Sequence, residues 1–204
     1  MKIIYGTGNP AKLNYMRKDL AALPIEVVGL DDLATSVPEA EETGNDPLAN
    51  AVCKAEAYYK AFHAPIFACD SGLFIEGLAD AEQPGVHVRR IGGKRLSDDE
   101  MRAHYAGIAA RMGGQCVARY RNAICLIVDD KHIYRYDGND ISGERFILSA
   151  VSHEKKVEGF PLDSLSVHIG TGEYYYDREN TCVDESFGFY RFFENILRDL
   201  GIGV

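Results

Sequence analysis

Pro65-Ile66-Phe67-Ala68-Cys69-Asp70-Ser71-Gly72-Leu73 is the stretch from which the fold is read. Pro65 to Cys69 shows no alternation of apolar and polar residues, which predicts a strand covered on both faces inside a sheet. Asp70-Ser71-Gly72 then interrupts the strand, and Leu73-Phe74-Ile75 resumes the apolar pattern. An Asp at the carboxyl end of a buried strand stands where open α/β sheets take their ligands. The other reading is a turn Asp bonded to its own backbone. Upstream, Glu39-Ala40-Glu41-Glu42-Thr43-Gly44 supplies further carboxylates. Mg²⁺ is normally held by one or two carboxylates together with phosphates and water, so two that converge would suit it.

Between those two acidic points a helix is predicted from about Pro47 to Phe62. Leu48, Val52, Ala55, Tyr59 and Phe62 recur at i+3 and i+4 and form its apolar stripe. Asn50 and Lys54 are four apart and share a face well away from that stripe. That face is either solvated, as most lysines are, or lines a cleft.

Toward the amino terminus, Lys2 to Tyr5 reads as a short buried strand turned by Gly6-Thr7-Gly8. Asn9 suits the N-cap and Pro10 the first helical position, with Leu13, Met16 and Leu20 at helical spacing behind them. A strand, a glycine turn and a helix place free N–H groups and a dipole where an anion is favoured. Thr7 adds a hydroxyl, and Lys12 in the first turn can reach a phosphate. An ordinary strand-to-helix turn with a solvated lysine is the competing reading. Acids for a metal, with amides and lysines for phosphates, point to an enzyme acting on a nucleotide polyphosphate.

A second strand is expected over Ile25 to Gly29, followed by loop from Asp31 to Pro38. Pro84-Gly85-Val86 is a turn leading to Arg89-Arg90, and Gly92-Gly93-Lys94 marks another loop. Ser97-Asp98-Asp99-Glu100 is a capping box opening a helix with Met101, Tyr105, Ile108 and Met112 on one side. Gln115 to Val128 reads as a long strand, with Asp129-Asp130 as a hairpin turn into Ile133 to Tyr136. Phe146 to Val151 is a further strand. Ser166 to Ile169 and Glu173 to Tyr176 flank Gly170-Thr171-Gly172 as a hairpin, and a last helix covers Ser186 to Leu200. There is no internal repeat, low-complexity tract or linker.

The chain of 204 residues is long enough for one substantial core or two lobes. Its formal charge of −9 argues against a nucleic-acid binder, which would show a basic face. Five cysteines without paired spacing fit a reducing compartment. Met1 to Tyr5 reaches Gly6 after only three apolar residues, so no signal peptide is expected. No apolar run approaches the ~20 residues of a membrane span. A soluble cytoplasmic protein with no membrane partner is the expectation.

Four ordered motifs in the first ninety residues carry a resemblance. Thr7-Gly8-Asn9-Pro10-Ala11-Lys12 matches T-G-N-x-x-K, and Glu41-Glu42-Thr43-Gly44 matches E-E-T-G. Ala49-Asn50-Ala51-Val52-Cys53-Lys54-Ala55 matches E-N-A-x-x-K-A except at its first residue. Ala68-Cys69-Asp70-Ser71-Gly72-Leu73 stands for A-D-D-S-G-L, with Cys69 in place of an acid. Pro84-Gly85-Val86-His87-Val88-Arg89-Arg90 is a weaker match to P-G-V/I-Y-S-A-R. The chain thus resembles the inosine triphosphate pyrophosphatase (Ham1-like) family of house-cleaning nucleoside triphosphate pyrophosphatases. The carboxyl half diverges: Gly159-Phe160-Pro161-Leu162-Asp163-Ser164 is what remains of G-F-G-Y-D-P-x-F. Before the last helix the family carries a Lys and S-H-R, where this chain has Glu185-Ser186-Phe187-Gly188.

The resemblance implies an α/β fold with an elongated mixed β-sheet flanked by helices, two lobes and a central cleft, shared with Maf-like proteins. Residues 1–204 would form one such bilobed domain. It implies Mg²⁺-dependent hydrolysis of deaminated or otherwise modified nucleoside triphosphates, such as those of inosine and xanthosine, to the monophosphate and pyrophosphate. Glu41 and Asp70 are the expected metal ligands, with Asp70 also orienting or deprotonating the water and Lys54 supplying charge beside it. Thr7, Gly8, Asn9 and Lys12 would cradle phosphates, Ser71 would add a hydroxyl, and Asn50 and Arg90 are further expected substrate contacts. Phe160 and Asp163 are the expected base contacts. A homodimer is implied, for which Phe187, Phe189, Tyr190, Phe192 and Phe193 supply either a contact or core. Two alternatives stand beside this: the same chemistry on a different modified nucleotide, and a nucleotide-binding sensor without turnover.

Overall fold

A computed structural model describes residues 1–33, 46–178 and 186–203, without the side chains of 186 and 187. The chain divides into two compact units. The first comprises Met1–Ser71, Arg121–Ser142 and Asp184–Val204; the second comprises Gly72–Tyr120 and Gly143–Val183.

In the first unit, β1 (Lys2–Tyr5) runs parallel to both β2 (Glu26–Gly29) and the start of β3 (Ile66–Ile75, whose last four residues belong to the second unit), with Ile4 opposite Ile66 and Tyr5 opposite Phe67. Helix α1 (Pro10–Asp19) starts as its sequence dictates: Asn9 Oδ1 accepts from the N–H groups of Ala11 (2.9 Å) and Lys12 (3.3 Å). Pro10 fills the first position, where a missing N–H costs nothing. Helix α2 (Pro47–Phe62) repeats the device, with Asp46 accepting from Ala49 N–H at 2.9 Å and His63 ending it in the left-handed region. Successive strand residues face opposite ways. Ile3, Tyr5 and Phe67 pack beneath Met16 and Leu20 of α1 and beneath Phe189, Phe193 and Leu197 of α4 (Ser186–Asp199). Ile4, Ile66 and Ala68 pack on the other face, under Ala51 and Ala55 of α2. The sheet is therefore buried on both sides, as the unalternating run of β3 requires.

The second unit contains the hairpin of β4 (Arg90–Ile91) and β5 (Lys94–Arg95), helix α3 (Asp98–Arg111) and the first half of β6 (Gln115–Ile127). That half of β6 pairs antiparallel with β8 (Phe146–Ser149), which pairs antiparallel with β9 (Ser166–His168). The second half of β6 belongs to the first unit and pairs antiparallel with β7 (Ile133–Tyr136). Hydrogen-bonded order is β2-β1-β3-β6-β8-β9, with β7 also on β6, giving a mixed sheet flanked by helices. Helix α3 has the reciprocal cap expected of Ser97 and Glu100, and lays Met101, Tyr105 and Ile108 on Leu73, Ile75 and Leu148.

Several local expectations need correction. Asp70-Ser71-Gly72 does not interrupt the strand; β3 runs through it from Ile66 to Ile75. The loop expected at Gly92-Gly93-Lys94 is a two-residue hairpin turn, with φ of 58° and 79° at the two glycines, and Lys94 already belongs to β5. Primed turns of this kind match the twist of antiparallel strands and need positive φ at both central residues. Glu173 to Tyr176 makes one bridge, Val167 to Tyr174, and then enters a 3₁₀ turn over Tyr175–Asp177 rather than continuing as a strand. Strand β8 stops at Ser149, two residues short of Val151, and Leu30–Asp32 forms a 3₁₀ turn where loop was expected from Asp31.

Candidate active site

Asp70 sits on the α2 face of β3, two residues beyond Ala68, and is 9% exposed. The side chains it meets come from α2. Asn50 Nδ2 donates to Asp70 Oδ2 at 2.9 Å, and Lys54 Nζ donates to Asp70 Oδ1 at 2.9 Å. One carboxylate thus accepts an amide on one oxygen and an ammonium on the other. This removes the turn reading of Asp70, whose partners lie on a helix rather than in its own turn. It also corrects the placement of Asn50 and Lys54 well away from the buried stripe. Asn50 is 1% exposed and lines the buried edge with Ala51 and Ala55, whereas Val52 and Tyr59 are only half-buried. A polar residue that deep is tolerated because it is hydrogen-bonded.

The turn after β1 lies against the same helix. Gly6 is buried, its N–H donates to Phe67 O at 2.8 Å, and the ring of Tyr58 covers it. A Cβ at Gly6 would stand 2.5 Å from Tyr58 Cδ2, so the contact admits no side chain. Beyond it, Thr7 Oγ1 accepts from Asn9 N–H at 3.2 Å, and Gly8 and Asn9 are exposed. The free N–H groups expected at this helix start are capped, those of Ala11 and Lys12 by Asn9 Oδ1 and that of Asn9 by Thr7 Oγ1, and Asn9 keeps its amide NH₂ as a donor. Lys12 is exposed, and its charge acts on Cys69, as does that of Lys54.

Cys69 points to the opposite face of β3 from Asp70. Burial pushes its thiol up to about 12, against the hydrogen bond with the Tyr5 hydroxyl and the pull of Lys12 and Lys54. Burial likewise raises Tyr5, helped by Cys69 and Asp70. The residue standing where the resemblance expects a second acid is therefore a neutral thiol, and its partner Tyr5 was not picked out from sequence. Ser71 follows Asp70 and is half-buried. Glu41 lies outside the described residues. Among the described residues, no three His, Cys, Asp or Glu side chains are grouped to hold a metal.

The other three expected contacts belong to the second unit. Arg90 is exposed in β4 opposite Arg95. Phe160 is 48% exposed, closing a turn in which its N–H donates to Val157 O at 3.1 Å and Gly159 has φ of 82°. Asp163 opens a 3₁₀ turn three residues on, and desolvation of its carboxyl by the surrounding chain raises its pKa. Sequence reasoning missed Arg89 and Asp98. Arg89 Nη1 donates to Asp98 Oδ1 at 2.6 Å, and Gly159 N–H donates to Asp98 Oδ2 at 2.7 Å. In the sequence Asp98 stands only as one residue of the Ser97–Glu100 capping box.

A groove of about 630 Å³ in the first unit, between β7 and α4, contains none of the expected substrate or metal residues; Tyr134, Tyr136, Arg191 and Phe192 are among its walls.

A sequence model of the Ham1 family matches residues 3–159. A dITP/XTP pyrophosphatase of Thermus thermophilus is 34% identical over 166 residues, covering 81% of this chain and 75% of that protein. The protein of the same name from Porphyromonas gingivalis is 35% identical over 134 residues, 65% of this chain and 67% of the relative. A solved HAM1 protein from Coxiella burnetii superposes with a TM-score of 0.77 at 21% identity, covering 98% of this chain and 99% of its own. The Ham1 protein of Staphylococcus aureus gives 0.72 at 19% identity, over 96% and 99%. At those identities the two structures speak for the fold, a mixed sheet flanked by helices.

Proposed function

Since this chain belongs to the Ham1 family, we propose that it is a nucleoside triphosphate pyrophosphatase cleaving deaminated or otherwise modified nucleotides to the monophosphate and pyrophosphate. The observation that carries the reading is Asp70 on β3, with the Lys54 ammonium on one oxygen and the Asn50 amide on the other.

The reaction needs a water in line with the α-phosphorus and an environment that accepts the charge of the departing pyrophosphate. The water oxygen forms a bond to the α-phosphorus as the bond to the α–β bridging oxygen breaks. Asp70 is the group assigned to orient that water and take its proton. Lys54, held at 2.9 Å from Asp70, contributes positive charge at the same point. Lys12 and the Thr7-Gly8-Asn9 turn, ahead of the α1 N-terminus, are the phosphate cradle. Ser71 adds a hydroxyl, and Arg90, Phe160 and Asp163 are assigned to the remainder of the nucleotide.

The donor set fits a hard divalent cation. Asp70 offers carboxylate oxygens that each keep a lone pair beyond the one used by Asn50 or Lys54. Mg²⁺ commonly takes only one or two protein carboxylates and completes its shell with phosphates and water. Asp70 and Glu41 are the residues assigned to hold it. When bound, it neutralises phosphate charge and polarises the phosphoryl oxygens. The same reading takes a cytoplasmic homodimer as the working form, which light scattering checks. No helix among the described residues is long and apolar enough to cross a membrane.

One observation favours a variant of this reading in which the base is not that of inosine. At the expected base contact the chain reads Gly159-Phe160-Pro161-Leu162-Asp163-Ser164, without the second glycine and the tyrosine of G-F-G-Y-D-P-x-F. Pyrophosphate release should be measured over natural, deaminated and otherwise modified triphosphates, with and without Mg²⁺. Preference for inosine or xanthosine triphosphate supports the first reading, and release only from another modified nucleotide supports the second. Binding without release at high enzyme concentration refutes both and leaves a sensor.

A further inference from the structure

Phe160 presents an apolar ring to solvent from a backbone that is held on three sides. Its N–H is bonded to Val157 O at 3.1 Å, its carbonyl accepts from Asp163 N–H at 3.3 Å, and the N–H of Gly159 before it goes to Asp98 Oδ2 at 2.7 Å. Gly159 has the positive φ that the third residue of such a turn needs. Asp98 is itself fixed, because its other oxygen accepts from Arg89 Nη1 at 2.6 Å. Arg89 is in turn tied by its backbone, whose carbonyl accepts from Leu96 N–H at 2.9 Å beside the β4–β5 hairpin. The Gly159 hydrogen bond and the Arg89 guanidinium hold the Asp98 carboxyl below the usual carboxylate range. A charged acceptor makes this the strong member of the set.

We propose that Arg89 and Asp98 are positioning residues that aim the Phe160 ring and so set how well the enzyme tells one base from another. This rests on the assignment of Phe160 as the base contact. Neither residue touches the nucleotide; both act through the turn. Asp98 sits at the first position of α3, yet the cap of that helix is Ser97, so its carboxylate is available for Gly159. A ring whose backbone is fixed before the ligand arrives loses less entropy on stacking. The clamp therefore bears on affinity for the base rather than on cleavage.

The protein has no tryptophan, so Phe160→Trp introduces a single indole whose fluorescence anisotropy reports the order of this position without any substrate. Adding Asp98→Ala to that variant should lower the anisotropy, and Asp98→Asn, which keeps an oxygen acceptor for Gly159 N–H, should restore most of it. Unchanged anisotropy overturns the clamp. With Phe160 in place, Asp98→Ala should raise KM for the preferred nucleotide about tenfold, the low end for one charge-assisted hydrogen bond, with kcat kept. Ribose 5-triphosphate, which carries no base, should show no change. Equal losses on both substrates mean a merely structural role and also overturn the proposal. Should wild type release pyrophosphate from no nucleotide at all, the proposed function falls while the anisotropy experiment still decides the clamp.

Discussion

Replacing Asp70 by Asn tests the centre of the site, and the geometry sets the size of the effect. The carboxylate accepts from two donors, Asn50 Nδ2 and Lys54 Nζ, both at 2.9 Å. An amide of the same shape has one acceptor oxygen and one NH₂ group. Whichever way it turns, its NH₂ faces a donor, so one hydrogen bond is lost and two donors oppose each other. Hydrogen bonds to charged groups contribute about 1.5–3 kcal/mol, and both side chains of the ion pair are only 13% exposed, so little of this is screened away. For a chain of this length each kcal/mol moves Tm by about 2–4 °C, so Asp70→Asn should lower Tm by about 3–12 °C. Pyrophosphate release should be lost as well. A second variant separates the two losses. Exchanging the pair, Asn50→Asp with Asp70→Asn, keeps one carboxylate, one amide and the lysine while moving the charge from the strand to the helix. Its stability should recover to within about 1 kcal/mol of wild type, the scale of one neutral hydrogen bond, and release should stay absent. Scanning calorimetry and a pyrophosphate assay on the three proteins decide the matter. If Asp70→Asn melts with wild type, the bonds to Asn50 and Lys54 contribute nothing; if the exchanged pair turns over normally, the position of the carboxylate is irrelevant to the chemistry.

Gly6→Ala puts a methyl 2.5 Å from Tyr58 Cδ2 and should destabilise by about 1–3 kcal/mol, as overpacking does; adding Tyr58→Leu should relieve it, and thermal melts read both. Lys94 and Ser97 hold Glu100 down at about 2, from an ordinary 4.5. A depressed carboxylate contributes stability that is fully present above its unfolded pKa and lost as pH falls through its folded one. Glu100→Gln should therefore flatten the fall of Tm between pH 4.5 and 2 while leaving the neutral slope alone. Alkylation followed by mass spectrometry should modify exposed Cys53 first among the four described cysteines. Cys69 and Cys125, pushed up by burial to about 12 and about 11, should react last, because the thiolate is the nucleophile.

Helix α2 was legible from its apolar stripe, which placed it at about Pro47 to Phe62, where it lies. Also legible were α1 behind Asn9-Pro10 and the Ser97–Glu100 cap. What failed was chemistry that is local in sequence but satisfied from a distance. Asp-Ser-Gly has turn composition, yet β3 continues because the donors for Asp70 arrive from a helix some twenty residues upstream. The apolar stripe of α2 pointed away from Asn50 for the same reason: a buried amide with a partner across the interface looks hydrophilic in one dimension. Gly92-Gly93 was seen as loop because the strands it joins are two residues each. Arg89 and Asp98 carry no periodic signal, and their link to Gly159 spans sixty-one residues.

Tyr58 and Lys54 are one turn apart on α2, the ring resting on Gly6 and the ammonium on Asp70. The helix thus serves as a spacer block, with the thickness of an aromatic ring setting the gap to the amino-terminal turn. Any slide or tilt of α2 carries the ring and the cation together. A smaller residue at position 58 would let that turn settle toward the helix while leaving the ammonium where it is, shortening the distance that a triphosphate would have to bridge.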